Sequence, residues 1–555
     1  MKKASYSLFV AGIISCLLLA SGAYFWATSL MDSLYAYHSP LHDEPPPPGK
    51  PVGPPLTRRI VFVLLDALRL DTSLNADVMP FLNELRNQGA RAVMHSRPPS
   101  YSDPAYSVLL TGAWPDLSDG PTFNLPYEET PTFTQDNLFS AAKREGLKTA
   151  LSGYYWFEKL VPQDAVDESF YTPSEDQAAD RQVVDAALPW LEHGMDNFVL
   201  IHIDQVDYAG HYEGGPRDTR WNAAARRADD LIREVVAELD LTQDTLLVAS
   251  DHGQIDQGGH GGHEPVVLLE PFILVGAGVK SGDFGHVNMV DVAPTLAVLL
   301  GVNIPADSQG RALEEMLALT TIHTNALPWI TYLQQKQLVE AYQSAIGWHV
   351  EALLPKQASA QKIVAAYQHA LETARESRLH EERPPRGFVS LVIALIPAGI
   401  LFWRRGKTVA WLWIGALIYN IFFHLRYVLL DHLTYSLSSV SSAEELILYV
   451  AITALASLGL AWIIVWWGLK AWRRNPIQAG ELGLGLVLIV IYSLALPVLW
   501  SYYLNDVLTT WTLPDFPSVF WGFLSTVQIL AVAVLGVLGT GAAVLFSWMV
   551  RNMSG

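Results

Sequence analysis

The chain has 555 residues, half of them apolar, and a net charge of −19. That length exceeds what one hydrophobic core supports, so at least two folding units are required. The acidic balance excludes a nucleic-acid partner, which calls for basic patches that neutralise phosphates; the single cysteine, Cys16, excludes an internal disulfide framework and a cysteine-based zinc site.

In chain order, the first element is an uncharged apolar run from about Tyr6 to Leu30, long enough to cross the ~30 Å hydrocarbon core. Ile13-Ile14-Ser15-Cys16, after Lys2-Lys3, has the form of a lipoprotein processing box. The apolar run continues past it to Leu30, so an uncleaved anchor is expected. Residues 39–55 (SPLHDEPPPPGKPVGPP) form a proline-rich spacer, expected to be extended.

From Arg58 the pattern alternates between apolar strands and amphipathic helices. Ile60–Leu65 is a continuous aliphatic run, as a buried parallel strand requires. Val78–Gly89 predicts a helix ending at glycine. Asn197–Ile203 and Thr245–Ser250 are further buried strands, separated by a helix over Arg217–Leu239, and Pro271–Val275 adds another strand. This rhythm predicts an α/β fold, a doubly wound and mainly parallel sheet. Beyond about Gly310 only helices are expected, over Ile330–Leu354 and Ala358–Arg378, with Pro355 between them.

Five more apolar segments follow, near 387–403, 408–430, 444–468, 481–503 and 518–549, interleaved with charged clusters and rich in Trp and Tyr. Lys2, Lys3, Arg404, Arg405, Lys407, Lys470, Arg473, Arg474 and Arg551 all fall on one side if six spans alternate, and the opposite loops hold only Arg426. Both termini are then cytoplasmic and residues from about 31 to 386 extracytoplasmic. The only Asn-x-Ser/Thr site, Asn552-Met553-Ser554, lies on the expected inside. His424, Arg426, Asp431 and His432, near the outer end of the third span, read as anchors at a membrane edge. The expected division is an anchor (1–30), a linker (31–57), a metal-dependent catalytic α/β domain (58–315), a helical extension (316–386) and a C-terminal membrane domain of about five helices (387–555).

The residues that carry chemistry follow the carboxyl ends of the expected strands, where open α/β sheets bind ligands. Asp66 ends IVFVLLD; Asp204 and Asp207 follow FVLIHI, with His211 one turn on; Asp251 and His252 follow TLLVAS; His260 and His263 lie in GGHGGHEP. One such Asp is ordinarily a cap and one such His a surface or core residue, but this ordered combination reads as a metal site. Mixed carboxylate and imidazole donors suit zinc, and less often manganese. In PPSYSDPAYSVLLTG, a helix is expected to begin at Pro104. Ser102 then stands at a helix N-terminus, a position that binds phosphate, and metal coordination would activate its hydroxyl. Ser100 and Ser107 compete on residue type alone.

The segments VFVLLDALRLD, MPFLNELRNQGA, SYSDPAYSVLLTGAWP, DQVDYAGH and SDHGQIDQGGHGGH, spread over roughly residues 58–310, resemble the alkaline phosphatase superfamily. The similarity is to the branch holding nucleotide pyrophosphatases/phosphodiesterases and GPI ethanolamine-phosphate transferases. The resemblance implies two divalent metal ions and Ser102 as nucleophile, counted back from Thr111-Gly112. Asp66, Ser102, Asp251 and His252 would hold one ion; Asp207, His211 and His260 would hold the other, with His263 a rival to His260 for the metal or a phosphate. Asp204 is the alternative to Asp207, which lies four residues before His211 as the family's Asp does. Implied with this is a membrane-anchored phosphotransferase or phosphodiesterase with a phospho-serine intermediate. The leading form is a phosphoethanolamine-type transferase acting on a membrane lipid or lipid-linked substrate. The alternatives are an extracytoplasmic phosphodiesterase or nucleotide pyrophosphatase, and an inactive membrane scaffold, against which the intact donor set counts. The chain departs from the superfamily's sulfatases, whose usual Cys-x-Pro-x-Arg nucleophile motif has no cysteine here to build on.

Overall fold

A computed structural model describes residues 2–354, 358–403, 406–440, 442–471 and 475–553. The chain divides into two compact units: one of Met1–Leu34, Glu381–Thr509 and Pro514–Gly555, the other of Tyr35–His380 and Thr510–Leu513.

The second unit is built on an eight-stranded sheet. Its strands are β1 (Arg59–Leu65), β2 (Ala90–His95), β3 (Thr149–Tyr154), β4 (Glu168–Thr172), β5 (Phe198–Ile203), β6 (Asp244–Ser250), β7 (Leu269–Gly276) and β8 (Gly282–Asn288), ordered β4-β3-β5-β1-β6-β7-β2-β8. All pairings are parallel except those of β7, which runs antiparallel to both β6 and β2. The α/β, mainly parallel architecture is as expected, and Pro271–Val275 is indeed strand.

Successive strand residues face opposite sides, so β1 feeds two cores. Ile60, Phe62 and Leu64 pack with residues of helices Ser102–Thr111, Leu138–Arg144 and Val292–Leu300. Val61, Val63 and Leu65 pack with residues of Pro80–Gln88, Gln177–His193 and Thr219–Ala237. Helices on both faces explain why β1, β5 and β6 are apolar runs rather than alternating ones. The shared register sets Leu65 beside Ile203 of β5 and Ser250 of β6, so the residues after these strands emerge along one edge.

Three expectations shift. The helix expected from Pro104 starts at Ser102. The proline-rich spacer is not free: Leu56 N–H donates to Leu299 O at 2.8 Å, and Pro54 O contacts His323 Nε2 at 2.9 Å. The helical extension runs as Thr321–Ile346, stopped by Gly347 in the left-handed region (φ +67°), and as a helix Ala360–Trp403, within which the unit boundary falls. Pro355 lies outside the described residues.

Among the described residues, five helices are long and apolar enough to cross a membrane: Gly12–Tyr35, Lys407–Leu430, Ala443–Gly468, Pro476–Asn505 and Phe516–Leu545. The candidate 387–403 forms the apolar end of the helix Ala360–Trp403. Arg404, Arg405, Arg473, Arg474 and Ser554 lie outside the described residues.

Candidate active site

Asp66 follows β1 directly, and Ala67 after it is held in the left-handed region (φ +57°), uncommon for a residue with a Cβ. That turn lets Ala67 N–H donate to Asp251 Oδ1 at 3.0 Å, and His252 N–H donates to the same oxygen at 2.9 Å. Asp251 Oδ2 is buried and has no hydrogen-bond partner. Asp66 repeats the arrangement. Its Oδ2 accepts from the Tyr106 hydroxyl and lies 3.1 Å from His202 Nε2, while its Oδ1 is buried without a hydrogen-bond partner. Each carboxylate thus has one oxygen fixed by the protein and one left over.

Ser102 opens the helix Ser102–Thr111, whose ten residues are all buried. Its Oγ lies 3.2 Å from His252 Nε2, which is itself 3.5 Å from Asp66 Oδ1 and 3.4 Å from Asp251 Oδ2. The rival hydroxyls are committed elsewhere: Ser100 donates to Gly262 O at 3.0 Å and Ser107 to Asp103 O at 2.9 Å.

The His252 ring stacks on His260 with centroids 4.0 Å apart, which leads into a second group. His260 Nε2 is 3.6 Å from Asp207 Oδ1 and 3.0 Å from His211 Nε2, and His211 Nε2 is 3.4 Å from Asp207 Oδ2. Asp207 and His211 stand four apart on the helix Gln205–Tyr212 and so share a face. Gln254 Nε2 holds Asp207 Oδ1 at 2.5 Å. A glycine at 210 is needed for this, since a Cβ there would lie 1.7 Å from Gln254 Oε1. His260 is buried, whereas His263 is exposed and outside the group. Asp204 is brought to Asp66 and His202 instead, with their donor atoms within 4.8 Å of one another.

The structure therefore gathers Asp66, Ser102, Asp251 and His252 in one cluster and Asp207, His211 and His260 in the adjoining one, and leaves His263 out. His202, Tyr106 and Gln254, which steer the carboxylates, were not read from the sequence. The available signal was His202, a lone polar residue inside the apolar run FVLIHI.

Burial dominates the electrostatics. It raises Asp66, assisted by the neighbouring Asp251 charge, to about 6, and raises Asp251 to about 6 as well. Burial also drives His260 well below its ordinary value, with His252 adding to the effect. Burial would raise Asp207 too, but His211, His260 and His252 hold it below the ordinary carboxylate value. Buried carboxylates with unpartnered oxygens, set beside imidazole nitrogens, make a donor set that fits divalent cations.

Residues 60–301 match the family described as type I phosphodiesterase / nucleotide pyrophosphatase. The chain is 28% identical over 343 residues to human GPI ethanolamine phosphate transferase 2, catalytic subunit, covering 55% of this chain and 34% of that protein. It is 26% identical over 431 residues to the mouse GPI ethanolamine phosphate transferase 3, catalytic subunit, covering 68% and 38%. The chain thus spans about a third of the length of the curated relatives it matches. Among solved structures, human ectonucleotide pyrophosphatase/phosphodiesterase 5 superposes with a TM-score of 0.37 at 12% identity, over 44% of this chain and 95% of that one. An alkaline phosphatase superfamily protein from Vibrio parahaemolyticus gives 0.38 at 15% identity, over 52% and 79%.

Residues 60–301 thus resemble the type I phosphodiesterase / nucleotide pyrophosphatase family. In sequence the chain is similar also to GPI ethanolamine phosphate transferases. The relatives are enzymes of the phosphotransferase and phosphoric diester hydrolase classes, the donor set here fits divalent metal, and five helices among the described residues are long and apolar enough to cross a membrane.

Proposed function

We propose that the chain is a membrane-anchored, two-metal phosphotransferase that moves phosphoethanolamine from a phospholipid to a lipid-linked acceptor through Ser102. The observation that carries this is the pair of orphaned, buried oxygens, Asp66 Oδ1 and Asp251 Oδ2, both facing His252, on which the Ser102 hydroxyl also closes.

Asp66, Ser102, Asp251 and His252 would hold one ion and Asp207, His211 and His260 the other. Bound there, zinc or a similar ion supplies the positive charge that makes the Ser102 hydroxyl nucleophilic and neutralises the oxygens of the transferring group. Ser102 Oγ attacks phosphorus in line; the Oγ–P bond forms as the bond from phosphorus to the glycerol oxygen breaks, and that oxygen leaves protonated as diacylglycerol. The helix Ser102–Thr111 turns the positive end of its dipole toward the transferring group. An acceptor hydroxyl then displaces Ser102. Tyr106, His202 and Gln254 act one step back, holding Asp66 and Asp207 in orientation.

Similarity to GPI ethanolamine phosphate transferases supports ethanolamine phosphate as the group and a GPI-type glycolipid as the acceptor. The family match favours a second reading, in which water takes the acceptor's place. Incubation with phosphatidylethanolamine labelled in its headgroup separates them. Transfer puts label on a new glycolipid; label released only as free phosphoethanolamine overturns the transferase reading.

For topology we propose six spans, with 387–403 as the sixth beside the five long helices. Both termini would be cytoplasmic and the catalytic unit extracytoplasmic. The exposed side chains of Phe388, Leu391, Leu395 and Ile396 support a lipid-facing role for that segment.

A further inference from the structure

A second cluster of ligand-type side chains lies away from the active site. His38 and His42 flank the turn Ser39-Pro40-Leu41, closed by His42 N–H donating to Ser39 O at 2.9 Å. Both imidazoles turn the same atom to the same carboxylate. His38 Nδ1 is 3.4 Å from Asp119 Oδ1 and His42 Nδ1 is 2.6 Å from Asp119 Oδ2, with ring centroids 4.1 Å apart. Asp119 is built into place: its side chain is 1% exposed, its backbone is in the left-handed region (φ +53°), and Ser39 N–H and the Thr134 hydroxyl each donate to it at 2.6 Å.

An ion pair needs only one of these imidazoles. Two protonated rings so close would repel each other while neutralising a single carboxylate. Two imidazole nitrogens and a carboxylate oxygen, all within 4.8 Å of one another, are instead a three-donor set with open positions for water. Ligand bonds of about 2.0–2.1 Å put tetrahedral neighbours roughly 3.4 Å apart. The His38–Asp119 pair already has that spacing, and the His42 ring needs to swing out by less than about 1 Å. With the His38 side chain 56% exposed, solvent ions reach the site.

We propose that His38, His42 and Asp119 form an additional binding site for zinc or a similar divalent transition ion, separate from the catalytic metals. Its position gives it a consequence for the nucleophile. Gly120, next to Asp119, packs so tightly that a Cβ there would lie 2.0 Å from Ser107 Oγ. Four residues on, Asn124 Oδ1 accepts from Asp103 N–H at 3.1 Å and Leu125 N–H donates to Asp103 Oδ2 at 3.2 Å. The loop thus clamps the first turn of the helix that begins at Ser102. An ion tying it to residues 38–42 braces that turn.

The test is zinc binding to the purified full chain, by equilibrium dialysis with elemental analysis, in wild type, H38A and H38A/H42A. Wild type should retain one ion more per chain than either variant, each of which binds that ion at least about tenfold more weakly. H38A decides the matter if the double variant folds poorly, because it removes an exposed ring and leaves the His42–Asp119 contact in place. In a D207N background, zinc should raise the melting temperature further with His38 present than with H38A. Equal zinc content and affinity in wild type and H38A would overturn the site and leave His42–Asp119 as an ion pair only.

Discussion

Substituting Asp251 by Asn in the metal-stripped protein tests whether the buried carboxylates are built for a cation. Asn keeps the shape and can still accept from Ala67 N–H and His252 N–H, but it cannot ionise. Wild-type Asp251 titrates near 6 instead of 3.8 because burial disfavours its charge. With the folded value above the unfolded one, the cost is absent below about 3.8, where both states are protonated. It develops between there and about 6, and is complete above. A shift of about 2 units is worth roughly 3 kcal/mol. Stability of D251N relative to wild type, both metal-free, should therefore rise by roughly 3 kcal/mol between about pH 4 and about pH 7. At about 2 °C per kcal/mol for a unit of this size, the relative melting midpoint moves by roughly 6 °C. Differential scanning fluorimetry after chelation, at both pH values, reads it. Restoring metal at neutral pH should reverse the order, leaving wild type the more stable. A pH-independent difference, or Asn less stable at neutral pH without metal, would refute the reasoning.

Tyr106→Phe removes the hydroxyl that fixes Asp66 Oδ2 and should weaken metal binding about 10–100-fold without unfolding the protein; competition with a chelator measures this. Gly210→Ala drives a methyl into Gln254, so one ion should be lost preferentially, seen as a fall in metal content by elemental analysis. Asp244→Ala strands Arg59, a 2.7 Å partner that is almost fully buried, and should cost about 3–5 kcal/mol. Urea unfolding would show it, with no change in metal content.

How much of this was legible follows from how the residues are deployed. Buried parallel strands must be apolar throughout, so the point where Ile60–Leu65, Asn197–Ile203 and Thr245–Ser250 meet Asp is visible in the sequence, and those Asp residues lie near the site. β2, β3, β4 and β8 were not anticipated: β4 and β8 form the partly exposed sheet edges, β2 alternates buried with half-buried residues, and β3 carries Thr, Ser and Gly in place of a continuous apolar run. The antiparallel direction of β7 is a property of pairing that the apolar run cannot carry. His260 and His263 are equivalent by spacing, and only the fold turns one inward. Tyr106 looked like helix core because its ring does pack there, against Phe157 at 4.5 Å, while its hydroxyl serves Asp66. His38 and His42 stand four residues apart, but Asp119 lies some 80 residues further on, so no local pattern announces the three together.

The central claim is that Ser102 carries the transferred group. Purified wild type, incubated with phosphatidylethanolamine and acid-quenched, should yield a phosphoethanolamine adduct on the peptide containing Ser102 by mass spectrometry. S102A should show no adduct and turn over at least about a thousandfold more slowly. Undiminished turnover by S102A, or an adduct on another residue, would contradict the account.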